Sequence, residues 1–254
     1  MTRRLLTRYA PALTGFATLV LLAALLESLI RAEWLDRFVV PLPSEVFGAL
    51  SRILAEENVA GRFAATAGET LAAGVLAAVV AVPLAILLYR TRLLRAAYEP
   101  WIAAMAAAPI VLMYPLFLVA FGRSAMTIVL MASLAAMPPV VLKTLEGLSA
   151  TRRVLLDVGR SMNLTQHQLF AKILFPSALA TIFTGFRIGL IFALINIVGI
   201  EFLINFGGLG QLVNELAERY DLPGTYAAIV YVVLVSVLFF WVMERAERWL
   251  RHQA

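Results

Sequence analysis

Residues 177–206 read SALATIFTGFRIGLIFALINIVGIEFLINF, an apolar run that contains only two charged residues, Arg187 and Glu201. About 20 apolar residues in a helix are enough to cross the hydrocarbon core of a bilayer. Similar runs occur at residues 11–30, 63–89, 100–121, 124–142 and 225–243. The sequence therefore predicts an all-α integral membrane protein with six transmembrane helices, folded as a single domain over residues 1–254.

The composition argues against a soluble enzyme. Hydrophobic residues make up 62% of the 254 residues and charged residues 15%, whereas soluble domains contain about 45–50% apolar residues. The chain has no cysteine, which excludes disulfides and thiolate metal sites. Its two histidines, His167 and His252, lie outside the apolar runs, which argues against a His-based metal site and against a catalytic triad.

The basic residues predict the orientation of the chain. The N-terminus, the second and fourth connections and the C-terminal tail carry 14 Lys and Arg residues, and the other connections carry six. Cytoplasmic loops of membrane proteins are enriched in Lys and Arg. Both termini are therefore predicted to be cytoplasmic, and the net charge of +5 is topogenic rather than a sign of nucleic-acid binding.

The first apolar run and the segment after it have separate predictions. Residues 11–30 are too long for the apolar part of a typical signal peptide and have no A-x-A cleavage site after them, so we expect an uncleaved span. Pro41-Leu42-Pro43 should be extended, and Ser44 should cap a helix. That helix either lies in the outer membrane interface or packs on the bundle, through an apolar face of Val46, Phe47, Leu50, Ile53 and Leu54.

The longest cytoplasmic connection, residues 143–176, predicts two short helices. The first covers about 150–162, and Asn163 follows it at a turn where a positive φ is expected. Thr165 and Gln168 form the S/T-x-x-E/Q pattern of a capping box, with Leu164 and Leu169 as a hydrophobic staple. We expect this second helix to display Leu169 and Phe170 until Pro176 stops it or starts the next helix, and an exposed apolar face indicates a partner.

This connection resembles the EAA loop of binding-protein-dependent ABC importer permeases, whose pattern is E-A-A, three residues, G, nine residues and I-x-L-P. Asp157 stands at the Glu position, Gly159 at the second Ala, Asn163 at the Gly, Ile173 at the Ile and Pro176 at the Pro. The spacing has no insertion. Val158 and Phe175 depart further from the pattern.

Other stretches are similar to the nitrate/sulfonate/taurine branch of that family, and the resemblance covers roughly residues 40 to 245. They are VPLPSEV at 40–46, API through PL at 108–116, GFRIGL at 185–190, EFL at 201–203 and GGLG at 207–210. The resemblance implies that a cytoplasmic coupling helix inserts into an ATPase subunit. The coupling residues would then be Asp157, Gly159, Asn163, Thr165, Gln168, Leu169, Phe170, Ile173 and Pro176.

The resemblance also implies the partners and the cargo. The chain would pair with a second copy of itself, with two ABC ATPase subunits and with an extracytoplasmic solute-binding protein in the bacterial cytoplasmic (inner) membrane. The sequence has no G-x-x-x-x-G-K-[ST] loop, so we expect a non-catalytic permease that binds no cofactor, with ATP and Mg on the partner ATPase. The cargo would be a small anion or a small polar organic solute, such as nitrate, bicarbonate, a sulfonate or a vitamin precursor.

Ionisable groups at membrane depth predict function by default. Arg187, Asn196 and Glu201 could line a water-filled translocation path, with Arg187 available to an anion. The alternative is a structural ion pair of Arg187, for which the candidate partners are Glu27, Glu69 and Glu99. We further expect Gly185, Gly189 and Gly199 to permit close helix approach, and Pro109 and Pro115 to kink the third span.

Two other functions compete with an ABC permease. A proton-coupled secondary transporter would use Glu69, Glu99 or Glu201 as its proton carrier, but it predicts inverted repeats, which are not evident, and leaves the 164–174 helix without a use. A membrane-embedded enzyme needs a convergent set of nucleophile, base or metal ligands, and no such set is evident.

Overall fold

The computed structural model describes residues 2–251, with side chains described from residue 10 onward except at 12, 246 and 249–251. His252, predicted to face the cytoplasm, lies outside the described residues. Across residues 2–251 every regular element is a helix. The all-α prediction is confirmed.

Eleven α-helices follow one another in this part of the chain, with one 3₁₀ helix between α4 and α5 and one π turn between α8 and α9. The 3₁₀ helix is Ile110–Met113 and the π turn is Phe170–Leu174. The α-helices are α1 Thr2–Arg31, α2 Pro43–Glu56, α3 Val59–Arg90, α4 Arg92–Ala107, α5 Tyr114–Phe121, α6 Ala125–Ser149, α7 Arg153–Ser161, α8 Gln166–Leu169, α9 Phe175–Ile204, α10 Leu209–Glu218 and α11 Leu222–Arg251.

Five of the described helical segments are long and apolar enough to cross a membrane, namely those that contain α1, α3, α6, α9 and α11. A sixth span exists only if α4 and the segment Ile110–Phe121 count as one, because the two are bent by 89°. Pro109 lies in this break, and Pro115 lies in the first turn of α5. The predicted third span is therefore broken rather than merely kinked, since the chain leaves the helical path around Pro109. The number of spans and their orientation stay predictions.

The chain divides into two compact units. Within the described residues, one unit contains residues 2–60 and 212–231, and the other contains residues 61–211 and 232–251. The single permease domain over residues 1–254 stays a prediction.

In the first unit, ion pairs fasten α2 to the connection between α10 and α11. Arg52 pairs with Asp221 at 2.5 Å, and Arg219 pairs with Glu57 at 2.6 Å. The Tyr231 hydroxyl donates to the Leu50 carbonyl at 3.0 Å. These contacts join segments about 160–180 residues apart in the sequence. The sequence pattern does not predict α10, because this helix is too short and too polar for a membrane span.

The start of α2 differs from the prediction. Leu42 is extended, with φ −61° and ψ 134°, as expected, but the helix begins at Pro43 instead of being capped by Ser44. Proline suits the first position of a helix, because its φ is already helical and the missing N–H would have no partner there. Glu45 closes this end by accepting a hydrogen bond from the Leu42 N–H at 3.4 Å. A hydrogen bond from the Arg37 guanidinium holds the pKa of the Glu45 carboxyl below its ordinary value.

The second unit has its core where α3, α6 and α9 meet. A methyl group on Gly185 would lie 2.7 Å from the Lys143 Cβ, and one on Gly189 would lie 2.8 Å from a Val140 methyl. The expected close approach at these two glycines of α9 is confirmed, since any side chain there would collide with α6. At Gly199 the nearest atom would be 3.9 Å away, which is ordinary contact, so the same expectation is wrong there.

Candidate coupling loop and membrane-embedded polar groups

The turn after α7 has the geometry that its sequence predicts. Asn163 adopts a φ of +53°, which Asn tolerates better than most residues. Its N–H donates to the Arg160 carbonyl at 2.9 Å, and the Leu164 N–H donates to the Gly159 carbonyl at 3.1 Å. The carbonyls at the end of α7 are thereby satisfied, and the chain reverses into α8.

The capping box is also confirmed. The Thr165 N–H donates to the Gln168 side-chain oxygen at 2.9 Å, and the Gln168 N–H donates to the Thr165 hydroxyl at 3.3 Å. Pro176 starts the next helix, which is one of the two predicted outcomes, since it lies in the first turn of α9. The short helix α8 does not end before it, because a π turn, in which the Phe175 N–H bonds the Phe170 carbonyl, joins α8 to α9. The π turn shifts the hydrogen-bond register just before the proline, so the chain stays helical.

The two arms of the loop meet at Gly159. A methyl group on Gly159 would lie 2.5 Å from a Leu169 methyl, 2.7 Å from the Ile173 Cδ1 and 3.5 Å from a Leu164 methyl. The loop motif thus brings these residues into one contact. The structure explains the small residue at position 159 by this packing of α7 on the segment that leads to α9.

Leu169 and Phe170 do not form the exposed apolar face expected from the sequence. Leu169 is buried, with 8% of its surface exposed, because it packs on Gly159. Phe170 is half-buried, between the Phe175 ring at 5.9 Å and the Arg90 guanidinium at 5.1 Å. The expectation of exposure is therefore wrong for Leu169. It holds only in part for Phe170, because Phe175 and Arg90 cover part of its ring.

The apolar face that no other described part of the chain covers lies on α7 and the residue after it. Val154 is 70% exposed, Val158 50% and Met162 69%, and their spacing of four residues places them on one side of the helix. Asp157 pairs with Arg160 at 3.1 Å on the exposed surface of the same helix. The sequence reading placed Val154 and Val158 in this helix but assigned the partner-facing surface to α8.

Arg187 has a protein partner that the sequence reading did not name. Its guanidinium lies 3.0 Å from a carboxylate oxygen of Glu247, which is 7% exposed, and the Thr184 hydroxyl donates to the other oxygen at 2.8 Å. The suggested partners Glu27, Glu69 and Glu99 are therefore wrong. The apolar pattern does not indicate Glu247, because the last apolar run ends at residue 243, whereas α11 continues to Arg251.

Glu201 is fully buried and anchors a turn. Its carboxylate accepts hydrogen bonds from the Thr66 hydroxyl at 2.8 Å and from the Gly210 N–H at 2.7 Å. The same Thr66 oxygen accepts the Leu209 N–H at 2.9 Å. The cluster thus binds residues 209 and 210 to α3 and α9, and Thr66 is a member that sequence reasoning missed.

Asn196 bonds within its own helix, because its amide donates to the Phe192 carbonyl at 2.9 Å. The structure therefore gives Arg187, Asn196 and Glu201 three separate sets of partners and does not bring them together. Their part in a translocation path stays a prediction.

The family of binding-protein-dependent transport system inner membrane components matches residues 71–252. The chain belongs to this family. Chains of this family are the permease subunits of ABC transporters, and the resemblance seen in the 157–176 motif is confirmed.

Several named relatives are similar over much of the chain. The riboflavin transport system permease protein RibX of Chloroflexus aurantiacus is 29% identical over 94% of this chain and 89% of its own length. The formylaminopyrimidine transport permease protein ThiX of Halalkalibacterium halodurans is 29% identical over 68% and 69%, respectively. The nitrate import permease protein NrtB of Synechocystis is 29% identical over 64% and 59%, in keeping with the branch that the sequence resembles.

A solved structure shares the fold. A chain of the MetNI methionine ABC transporter, in an inward-facing conformation, superposes with a TM-score of 0.65 at 20% identity. The match covers 75% of this chain and 94% of that chain. The likeness supports an ABC permease fold.

Proposed function

We propose that this chain is the permease subunit of an ATP-driven importer for a small anion or small polar organic solute, and that α7 docks on the ATPase subunit. The observation that carries the proposal is the exposed apolar face of α7 inside the EAA-like loop of a member of this permease family. Members of the family work with an ATPase and a solute-binding protein. The proposal moves the main docking contact from Leu169 and Phe170 to Val154, Val158 and Met162.

The packing of the loop supports a route by which motion of the ATPase subunit passes to the membrane helices. Burying one aliphatic side chain in a partner's groove is worth roughly 1.5–3 kcal/mol, so the α7 face can hold an ATPase subunit. Gly159 fixes α7 against Leu169 and Ile173, and the helix that contains these residues continues into α9. A displacement of α7 would therefore pass to α9 through direct contact. Rocking of rigid helices between inward- and outward-open states is a common form of such a change.

The assembly and its orientation belong to the same proposal. The 14-to-6 asymmetry of Lys and Arg supports six spans with both termini in the cytoplasm, which puts α7 on the side where ATP is available. Two copies of the chain would enclose one path, two ATPase subunits would bind ATP and Mg, and a solute-binding protein would deliver cargo from outside. The site of this assembly would be the bacterial cytoplasmic membrane.

The cargo class rests on the relatives. RibX, ThiX and NrtB are named for riboflavin, formylaminopyrimidine and nitrate, which are small and polar or anionic. We propose a cargo of this class and a structural role for Arg187 and Glu201, because Arg187 pairs with Glu247 and the Glu201 carboxylate bonds Thr66 and Gly210. Family membership argues against a proton-coupled secondary transporter and against a membrane-embedded enzyme.

The test is reconstitution of the permease with its ATPase and solute-binding protein in liposomes. The proposal predicts uptake of a labelled solute from a panel of riboflavin, formylaminopyrimidine, nitrate and aliphatic sulfonates, and only when ATP is supplied on the ATPase side. Omission of the binding protein should abolish it. Uptake driven by a proton gradient without ATP would contradict the proposal.

A further inference from the structure

A groove of about 340 Å³ lies where α3 ends beside the α7–α8 hairpin. Four nitrogen-bearing side chains from three helices line it: Arg90 at the end of α3, Arg160 on α7, and Gln166 and His167 on α8. None of its lining residues, in the part of the chain that the structure describes, carries a carboxylate. The groove therefore gathers positive charge and hydrogen-bond donors in one place.

Neither arginine is held in a buried ion pair. Arg90 has a ring contact with Phe170 and no carboxylate partner among the described residues. Arg160 pairs with Asp157 at 3.1 Å, but both side chains of this pair are more than 60% exposed. Exposed pairs are worth about 0–1 kcal/mol, so a stronger anionic ligand can displace Asp157. The planar guanidinium fork suits phosphate oxygens, which it binds with two parallel hydrogen bonds.

The rest of the groove lining is largely apolar. Leu156, Leu169, Phe170 and Leu174 contribute to it, together with Tyr89. A ligand that matches both parts of the lining carries a phosphate at one end and an apolar portion at the other. Arg90 is the last residue of a 32-residue apolar helix, so the groove lies at the level where a membrane ends and lipid headgroups begin.

The groove and the proposed docking face occupy different sides of α7. Leu156 and Arg160 line the groove, whereas Val154, Val158 and Met162 are exposed elsewhere on the helix. At 100° per residue, the two sets lie more than a quarter of a turn apart. A ligand in the groove would therefore leave the α7 face open to the ATPase.

We propose that this groove binds a phosphate group, with an anionic phospholipid of the adjacent leaflet as its source. The Arg90 and Arg160 guanidiniums hold the phosphate, His167 donates an N–H to it, and the glycerol and acyl portion lies against the apolar side chains of the lining. The bound phosphate ties the end of α3 to the hairpin. The site depends neither on the cargo nor on the ATPase contact.

The test uses the full-length permease, delipidated in detergent and titrated with three probes: dihexanoyl phosphatidylglycerol, dihexanoyl phosphatidylcholine and inorganic phosphate. Native mass spectrometry and the shift in thermal unfolding report binding. The structure predicts that phosphatidylglycerol binds more tightly than phosphatidylcholine. Arg90→Gln and Arg160→Gln should each weaken it about tenfold or more, which is a loss of about 1.4 kcal/mol or more, because each removes a charge-assisted hydrogen bond to the phosphate.

Matched variants separate the groove from general charge effects. Arg92→Gln and Arg153→Gln remove the same charge from nearby exposed residues that do not line the groove, and both should bind phosphatidylglycerol like the wild type. If Arg90→Gln fails to fold, Arg90→Lys takes its place in the test. It keeps the charge and should retain part of the phosphatidylglycerol binding. Inorganic phosphate that competes with the lipid would support the same phosphate contact.

Three results would overturn the proposal. They are equal affinity for the two lipids, equal loss of binding in the groove variants and the matched variants, and unchanged binding in Arg90→Gln and Arg160→Gln. Binding of inorganic phosphate with no binding of phosphatidylglycerol would overturn the lipid as the source and retain the phosphate site.

Discussion

Leu169 lies so close to Gly159 that a methyl group on Gly159 would be 2.5 Å from Cδ1 of Leu169. This contact joins the arm that carries the exposed apolar face, α7, to the arm that continues into α9. A side chain larger than a methyl group at position 159 would separate the two arms. The contact is therefore the physical link between a cytoplasmic surface and a membrane-spanning helix in our account.

Substitutions at Gly159 should depend steeply on size. Gly159→Ala places its methyl group against the flexible ends of Leu169 and Ile173, and the better helix propensity of Ala, about 1 kcal/mol, offsets the strain. We expect near-wild-type behaviour. Gly159→Leu should cost about 1–3 kcal/mol by overpacking and reduce coupling between ATP hydrolysis and uptake. Thermal unfolding and uptake assays check this, and a Leu variant with wild-type coupling would contradict it.

Thr66 should be required for its hydroxyl rather than its shape. Thr66→Val keeps the shape, but it leaves the Leu209 N–H and one contact of the Glu201 carboxylate unsatisfied in a buried place. Each such loss costs about 1–3 kcal/mol. Thr66→Ser, which retains the hydroxyl, is the matched control and should stay within about 1 kcal/mol of the wild type. Equal thermal stability of the Val and Ser variants would show that the cluster does not hold the turn.

Arg187→Gln should destabilise the protein, because Glu247, 7% exposed, would keep a buried charge without a cation. Removing one partner of a buried pair costs about 3–5 kcal/mol, whereas replacing both is much less costly. The double variant Arg187→Gln with Glu247→Gln should therefore recover most of the loss. Melting temperatures of the four proteins in the cycle measure this. An Arg187→Gln variant as stable as the wild type would contradict the structural role of Arg187. A stable double variant that does not take up solute would indicate a role of the pair in transport.

Single cysteines test the orientation, and the chain has no native cysteine to interfere. Glu218 and Lys172 are both exposed and are predicted to lie on opposite sides of the membrane. A membrane-impermeant maleimide should label Glu218→Cys in intact cells and Lys172→Cys only after permeabilisation. The reverse pattern would contradict the cytoplasmic position of α7.

Local sequence patterns are sufficient to predict part of the coupling loop. The positive φ of Asn163 and the Thr165–Gln168 capping box depend on residues within four positions of each other, so the chain's local pattern predicts them. The long apolar helices were predicted for a similar reason, because length and hydropathy are local properties. Hydropathy does not determine where these helices end, and α11 extends past the last apolar residues to include Glu247.

Contacts between distant residues could not be predicted in the same way. Thr66 and Glu201 are 135 residues apart, and the pairing of Arg187 with Glu247 depends on which helices pack together. The apolar pattern of residues 164–174 was recognised, but periodicity alone does not tell whether a face is covered by the same chain or by a partner. For this reason Leu169 was expected to be exposed, and the structure buries it.

The proposed docking of the ATPase subunit on α7 can be tested with Val158→Asp. Val158 is 50% exposed, so the membrane fold should be unchanged. The variant loses about 1.5–3 kcal/mol of apolar burial and places a charge in the contact, which should weaken ATPase binding at least tenfold. Leu93→Asp, at an 83% exposed position of α4, is the matched control.

The measurement is co-purification of the ATPase with each permease variant, followed by binding-protein-stimulated ATP hydrolysis in liposomes. We expect Val158→Asp to insert and fold but to lose both the ATPase and the stimulated hydrolysis, whereas Leu93→Asp should keep both. A Val158→Asp permease that retains its ATPase and hydrolyses ATP at the wild-type rate would show that α7 is not the docking surface.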